Sequence, residues 1–368
     1  MDVRCARRLT RPGRGGPAAG SPMWCVLTSK RITLVDVALD AGVSRATASM
    51  VLRDAGHISV STRKRVRASM QALGYVYHRG AASLRSSRTM TVGLVVPDLS
   101  NHFMAEMTIG LEAVLAEHGI LTLTTNTFED PARQHLLLRA LFERQVDGII
   151  VVPALGTEES FADYLAGAGI PAVISTRAID DDRATYVGID NVRGGELAAT
   201  HLLRHGCRTF AYLGGMPGLR PRQDRLRGVR RALAPVGGAR VVTHRSGPAT
   251  GAWSRDLAER LFATAPLPDA VVCHNDSVAF GVYRALRDVV PEAVGTVRIV
   301  SFDDVDEAAL WEPPMSSVAA NGREVGLQAA RALLRRIDDP TTQVEHVLLA
   351  PELVIRRSCG CPDDSLSD

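Results

Sequence analysis

Apolar and polar positions change their rhythm along the chain. Between Thr33 and Leu52 the sequence TLVDVALDAGVSRATASMVL steps its apolar residues at helical spacing, breaks, and resumes. Leu34, Val37 and Ala38 share one face of a first helix that Thr33 can cap, with Asp36 at the third position, the place for a capping carboxylate. The break falls at Ala41-Gly42, where glycine accepts a backbone reversal that other residues resist. Ser44 can cap a second helix whose Thr47, Val51 and Leu52 face inward, leaving Arg45, Ala46, Ser49 and Met50 outward. Two short helices joined by such a turn have the layout of a helix-turn-helix, whose second helix enters the DNA major groove by its N-terminal part. After a turn at Asp54-Ala55-Gly56-His57, a third helix is expected over Thr62–Leu73, capped by Ser61, with Val66, Met70 and Leu73 inward and Gly74 as its stop. In the stretch from Tyr75 to Arg88, Ala81, Ala82 and Leu84 allow a helical turn or two, too short to be stable alone.

From Thr91 the pattern becomes short apolar runs separated by helical periods. Strands are expected at 91–96, 121–125, 148–152, 172–175, 210–213, 270–273 and 297–302. Helices are expected near 103–118, 131–144, 194–205, 222–234, 251–264, 276–289 and 322–337. Such alternation over about 260 residues predicts doubly wound parallel sheets, and its length predicts two similar lobes. Ligands in this architecture bind beyond the carboxyl ends of the strands. The loops there carry Asp98 and Phe103, Thr176-Arg177, Gly214-Gly215-Met216, His274-Asn275-Asp276 and Asp303-Asp304.

Charge sharpens this division. Residues 1–90 hold 16 Lys+Arg and 4 Asp+Glu, whereas the remainder holds 27 and 36, within a chain of 368 residues and net charge +3. A basic head on an acidic body is what a phosphate-binding module joined to a different kind of domain would show. Arg63, Lys64, Arg65 and Arg67 coat the third helix, a solvated face that can also meet backbone phosphates. Residues 1–30, rich in Arg, Gly, Pro and Ala, read as a disordered tail; Arg7-Arg8 lacks the apolar stretch of an export signal. No apolar run is long enough for a transmembrane helix. The six cysteines are scattered, which fits reduced thiols in a cytoplasmic protein. Cys359-Gly-Cys361 has the chemistry for metal or redox work, but without a nearby second ligand pair 359–368 reads as a flexible tail. His201 and His205 have zinc-binding spacing on a helix, yet with no third ligand evident they read as a helix edge. Asp303-Asp304 offers paired carboxylates without a nucleophile or metal cluster, so hydrogen bonding is the plainer use. Neither a catalytic set nor a cofactor motif is identified, and no metal site is assigned.

Several motifs in order, DVALDAGVSRATAS, ALGYVYHRGAASL, VDGIIV, HNDSVAFG and SFDD, resemble the lactose-repressor (LacI) family of bacterial transcription regulators. DLSNHFMAEMTIGLE and STRAIDDD resemble a subgroup that includes maltose-regulon repressors. The resemblance spans about Ile32 to Ser358. It implies a three-helix DNA-binding head (31–77), a hinge helix and linker (78–90), and a two-lobed periplasmic-binding-protein-like core that dimerises (91–358). It places Ser44, Arg45, Ala46, Thr47, Ser49 and Met50 at or near the major groove of a double-stranded operator. Arg79 and Ala81 fall in the hinge, and Leu84 matches the leucine that wedges into the minor groove. Asp98, Phe103, Arg177, Arg225, Asn275 and Asp303 fall at or near effector positions, a set suited to a polyhydroxyl ligand such as a sugar. The chain departs from the family at Met50, where a polar or basic reader is common, and at Ala48, which replaces a usual valine. It departs also at Ser246, where a ligand-stacking aromatic is common and Trp253 lies a turn or two away, and Thr176 stands where purine-type members have an acid. The expected function is an effector-controlled transcription regulator, a repressor acting as a homodimer in the bacterial cytoplasm, at the nucleoid when bound. The competing classes are a sugar-binding transport protein, disfavoured by the basic head, and a sugar-processing enzyme, for which no nucleophile elbow or metal signature exists.

Overall fold

A computed structural model describes residues 32–52, 54–76, 88–158, 160–179, 183–264 and 266–362. The N-terminal tail, the hinge positions Arg79, Ala81 and Leu84, and the acidic end 363–368 lie outside the described residues. Two compact units divide between Ala82 and Ser83.

The first unit holds α1 (Leu34–Asp40), α2 (Arg45–Leu52) and α3 (Val60–Ala72). Thr33 and Asp36 form a reciprocal capping box, the Thr33 amide donating to Asp36 Oδ2 at 2.7 Å. Gly42 takes φ +62, and Ser44 Oγ accepts from the Thr47 amide at 3.0 Å. α3 begins earlier than its pattern suggested: Ser59, not Ser61, caps it, accepting from the Thr62 amide at 3.2 Å. Val37, Ala38, Ala41, Ala48, Val51 and Val66 make the small core.

The second unit contains two six-stranded sheets, in the orders β11-β5-β4-β3-β1-β2 and β12-β10-β9-β8-β6-β7. The strands are β1 (Thr91–Val96), β2 (Leu121–Asn126), β3 (Gly148–Val151), β4 (Ala172–Ser175), β5 (Thr185–Ile189), β6 (Thr209–Leu213), β7 (Arg240–Arg245), β8 (Ala270–Cys273), β9 (Arg298–Phe302), β10 (Ser316–Ala319), β11 (His346–Leu349) and β12 (Glu352–Val354). Every pairing is parallel except β10 with β12. Each sheet begins with one stretch of chain and is completed by a later one, so the backbone passes between the lobes more than once.

Helices α4 (His102–Glu117), α5 (Pro131–Glu143), α6 (Phe161–Gly167) and α12 (Gly322–Asp338) serve the first sheet. The second sheet carries α7 (Asn191–Arg204), α8 (Arg220–Leu233), α9 (Gly251–Thr264), α10 (Asp276–Val289) and α11 (Asp306–Leu310). Polar residues at the strand–helix junctions start these helices: Asn101, Asp130, Asp190, Asn275 and Asn321 each accept a first-turn amide. The same carboxyl-end junctions line the face each sheet offers a ligand.

Candidate functional site

In the head, Arg45 and Ala46 stand exposed at the N-terminus of α2. Ser44 and Thr47 spend their hydroxyls on each other, 2.9 Å apart, and on the cap. Thr47 is only half-buried and Ala48 takes the core position instead, because residues 48 and 51 share the inward face at helical spacing. Ser49 and Met50, expected on the outer face, are half-buried, and the Met50 thioether lies against the turn at Gly56, 3.1 Å from where a Cβ there would stand.

Much of the basic face of α3 is used within the head. Arg65 Nε donates to the Ala41 carbonyl at 2.8 Å and ties α3 to the end of α1. Arg63 and Arg67 meet Asp54 at 2.9 and 2.7 Å, and Arg63 also donates to the Gly56 carbonyl at 3.0 Å. These exposed pairs contribute little stability each. Their effect is to fix the loop that follows α2.

In the core, the expected effector residues all sit past carboxyl ends of strands or on the helices that follow. Arg225 of α8 is buried, at 7% exposure. Its Nε donates to Asn191 Oδ1 at 2.8 Å, its Nη1 to the His274 carbonyl, and its Nη2 lies 3.8 Å from Asp303 Oδ1. The guanidinium also covers the Phe302 ring at 4.2 Å. Asn275 caps α10 through Oδ1, which accepts from the Val278 amide at 3.0 Å. Burial raises the Asp303 carboxyl above its usual range, against the lowering pull of Arg225 and of His102 in the opposite lobe. The lobes approach each other beside this crevice, where a Cβ on Gly218 would stand 3.7 Å from the Leu155 side chain of the opposite lobe. Burial holds the His274 imidazole neutral, helped by Arg225, Arg222 and, from the opposite lobe, Arg177.

Arg177 is placed differently from a free ligand clamp. It makes a two-pronged pair with Glu129, at 2.8 and 2.7 Å, and donates to the Pro153 carbonyl at 2.9 Å. Burial pushes the Glu129 carboxyl up, but the hydrogen bonds and charge of Arg177, together with the Leu155 amide, leave the group below its usual value. Asp98 is exposed and turned onto Ser100, accepting from its amide and hydroxyl at 2.9 and 2.8 Å. Phe103 is buried at 8%, against Gly322. Trp253 packs on Gly247, and Ser246 is exposed. Asp304 pairs with Arg356 at 2.6 Å and serves structure rather than acid–base chemistry.

Two features mark these strand ends as strained and polar. Non-glycine residues with positive φ gather there: Phe128, Glu129, Thr176, Asp303 and Asp304, at +54, +61, +60, +101 and +57. Thr127 and Thr176, just past β2 and β4, bury hydroxyls without a hydrogen-bond partner among the described residues. A polar ligand or water would satisfy them. Sequence reasoning missed Glu129, Asn191 and Arg222. Asn191 was the findable one, because Asp190-Asn191 is a polar pair at a strand–helix junction.

Asp276 gives this region a pH dependence. It is 1% exposed and accepts from the hydroxyls of Ser301 and Ser317 and from the Val305 amide, the last two at 2.8 and 2.9 Å. Burial first, and the Asp303 charge second, push its carboxyl from 3.8 up to about 6, against those hydrogen bonds. The folded chain thus holds this proton to higher pH than the unfolded chain. The associated stability is fully present below pH 3.8 and is lost as pH rises through about 6. At about 1.4 kcal/mol per unit, the loss is roughly 3 kcal/mol. From pH 4 to 7 the unfolding free energy of the wild type should fall relative to that of Asp276→Asn by roughly this amount; parallel curves would exclude Asp276 as the titrating group.

Residues 33–77 match the family described as bacterial regulatory proteins, lacI family, and residues 199–359 match a periplasmic binding protein-like domain. The maltose regulon regulatory protein MalI of Escherichia coli (strain K12) is 30% identical over 340 residues, covering 89% of this chain and 98% of its own. Among solved structures, a complex of the transcriptional regulator CelR with cellobiose aligns at TM-score 0.67 and 30% identity, over 89% of this chain and 100% of that one. The lac repressor dimer bound to operator and the anti-inducer ONPF aligns at TM-score 0.82 over 90% of this chain and 99% of that one. At 22% identity, that likeness concerns the fold.

Proposed function

This chain belongs to the lacI family of bacterial regulatory proteins and is a DNA-binding transcription regulator, and we propose that a small polyhydroxylated effector controls it from the crevice between its lobes. The carrying observation is the buried Arg225, held by Asn191, the His274 carbonyl and Phe302 so that its remaining edge and Asp303 meet a ligand already oriented. Charged and amide groups beside an aromatic face suit the hydroxyls and ring of a sugar. The cellobiose named with the similar CelR structure supports that class. Asp98, Phe103 and Asn275 complete the proposed set, and Arg177 acts in it through its pair with Glu129.

In this reading the head (31–77) of each subunit in a homodimer presents Arg45, Ala46 and Ser49 to one half of a near-palindromic operator, with Ser44 and Thr47 shaping the helix start. Met50 adds apolar contact at the edge. The hinge (78–90), with Arg79, Ala81 and Leu84, enters the minor groove. The core (91–358) binds effector and dimerises, and effector binding shifts the equilibrium by its differential affinity for two lobe arrangements, releasing the operator. The dimeric, operator-bound lac repressor supports this assembly. Among the described residues no helix is long and apolar enough to cross a membrane, and a regulator that reaches chromosomal DNA works in the cytoplasm, on the nucleoid when bound. The reading is of a repressor and not an enzyme, since the named relatives are regulators.

Fluorescence anisotropy with the DNA upstream of its own gene tests the first half: salt-sensitive, sequence-selective binding is expected, and its absence would remove the reading. A thermal-shift screen of sugars and sugar acids tests the second. Leu84→Ala should weaken operator binding on the order of tenfold or more, as expected when a wedge that repays unstacking is lost. Random-sequence DNA should bind the variant as before; equal losses on both would refute the wedge.

A further inference from the structure

Two short motifs that lie far apart in sequence meet on the C-terminal lobe. His201 and His205 stand one turn apart near the end of α7, with ring centroids 4.8 Å apart. The chain returns to that face after β12. There Arg357–Cys359 makes a 3-10 turn, and Gly360, at φ +90, reverses the backbone between the two cysteines. Cys361 Sγ comes to rest 3.2 Å from His205 Nε2 and 3.8 Å from His201 Nε2. One ligand atom from each of His201, His205, Cys359 and Cys361 lies within 4.8 Å of the others. The segment from 359 is therefore not a free tail up to Cys361: Cys359 is fully buried and Cys361 half-buried.

We propose that His201, His205, Cys359 and Cys361 form a tetrahedral site for a thiophilic divalent cation, Zn2+, that fastens the carboxyl-terminal segment to α7. Two imidazoles and two thiolates are a recurring structural zinc set, and a closed shell of four protein ligands leaves no open position for catalysis. Bonds of about 2.3 Å to sulfur and about 2.0 Å to nitrogen put neighbouring donors of a tetrahedron about 3.3 to 3.8 Å apart. The Cys361 contacts already fall near that range, and the widest separation in the cluster needs to close by only about 1 Å. Binding releases both thiol protons to solvent, including the one Cys359 donates to the Arg356 carbonyl at 3.1 Å. Two thiolates then neutralise the cation, so the metal and its four ligands together carry no net charge. Arg298 backs the cluster: its Nε is buried without a partner among the described residues and lies 2.7 Å from where a Cβ on Gly360 would stand. A donor in that position suits a thiolate and favours glycine between the cysteines.

The same helix carries Asn191, the partner of Arg225, at its other end. At about 1.5 Å per residue the two ends lie roughly 15 to 20 Å apart. The metal thus acts on the lobe's stability and leaves the crevice contacts alone. The competing accounts are a Cys–His packing cluster that binds nothing and a Cys359–Cys361 disulfide.

The experiment uses full-length protein purified with a reductant and without added metal or chelator. Mass spectrometry of the metal content should find zinc at one per chain. Cobalt added to the chelator-treated protein should give the visible bands of a tetrahedral centre with thiolate charge transfer. Chelation should lower the thermal midpoint of the wild type but not that of His205→Asn or Cys361→Ser. Both variants should lose zinc affinity by more than the roughly 10- to 100-fold that outer-shell changes cost, while Cys207→Ser keeps it. Operator binding by the variants confirms that they fold; if either misfolds, the cobalt spectrum of the wild type decides. Reduced wild-type protein that retains no zinc and gives no cobalt spectrum would overturn the site. So would variants that bind zinc as tightly as the wild type, or a native Cys359–Cys361 disulfide in a chain that takes up no metal once reduced.

Discussion

Arg225→Met should abolish the response to effector while leaving operator binding intact in its absence. The guanidinium makes two hydrogen bonds, stands 3.8 Å from Asp303 and covers Phe302, all at 7% exposure. Methionine fills the volume over the ring but leaves Asn191 Oδ1 and the His274 carbonyl without their donor. Asp303, already raised by burial, loses the cation that pulls it down. Removing one member of a buried pair costs about 3–5 kcal/mol, so the denaturation midpoint should fall with it. Arg225→Lys separates the two consequences. It restores the charge beside Asp303 but not the fork that reaches Asn191 and His274 together. The lysine variant should therefore regain part of the stability and none of the effector response. Operator release is read by anisotropy as ligand is titrated, at a temperature where both variants are folded. A methionine variant that releases the operator at the wild-type ligand concentration would take Arg225 out of the site.

The reach of the sequence followed the range of the interactions. The capping box at Thr33 and Asp36, the reversal at Gly42 and the Ser44 cap act within four residues and were readable from spacing alone. The start of α3 was misplaced because Ser59 and Ser61 are equally good caps by composition, and the first helical residue, Val60, is 83% exposed rather than part of the apolar face. Among the unanticipated strands, β7, β11 and β12 lie at sheet edges, where half-exposed strands lose the apolar run that marks a buried one. β5 and β10 are interior, but Gly188 and the serines at 316 and 317 dilute their apolar signal. The loops proposed to hold the effector were legible only as carboxyl ends of parallel strands. That Arg177 would be held by Glu129, 48 residues away, was not. The histidine and cysteine pairs were each visible as spacings. Their meeting across 156 and 160 residues is a property of the second lobe's closure, which no local pattern encodes.

Glycines inside helices show the same limit with the largest expected effect on folding. By propensity each weakens its helix by about 1 kcal/mol relative to alanine. In the fold several are the points where helix backbones touch. A Cβ at Gly326 of α12 would lie 2.0 Å from the Met107 carbonyl oxygen of α4, and one at Gly110 would lie 2.0 Å from that of Arg323. The second lobe repeats the device: a Cβ at Gly228 of α8 would stand 2.0 Å from the Val192 oxygen of α7, and one at Gly195 stands 2.1 Å from that of Arg225. The obstructing atoms are backbone, so relief requires the helices to separate. Gly326→Ala and Gly228→Ala should each cost at least the 1–3 kcal/mol of ordinary overpacking, with the upper end expected for a clash against main chain. The two differ in what else they disturb. Separation of α7 from α8 stretches the 2.8 Å bond between Arg225 and Asn191, so Gly228→Ala should also weaken effector binding in protein that remains folded. Gly326→Ala lies in the other lobe and should leave that bond alone. Gly167→Ala is the control: nothing lies within 4 Å of its Cβ, and substitution at this helix end should be neutral or stabilising. Denaturant titration of the three variants measures the difference. Equal stabilities for Gly167→Ala and Gly326→Ala would mean that the α4–α12 approach is looser than the structure has it.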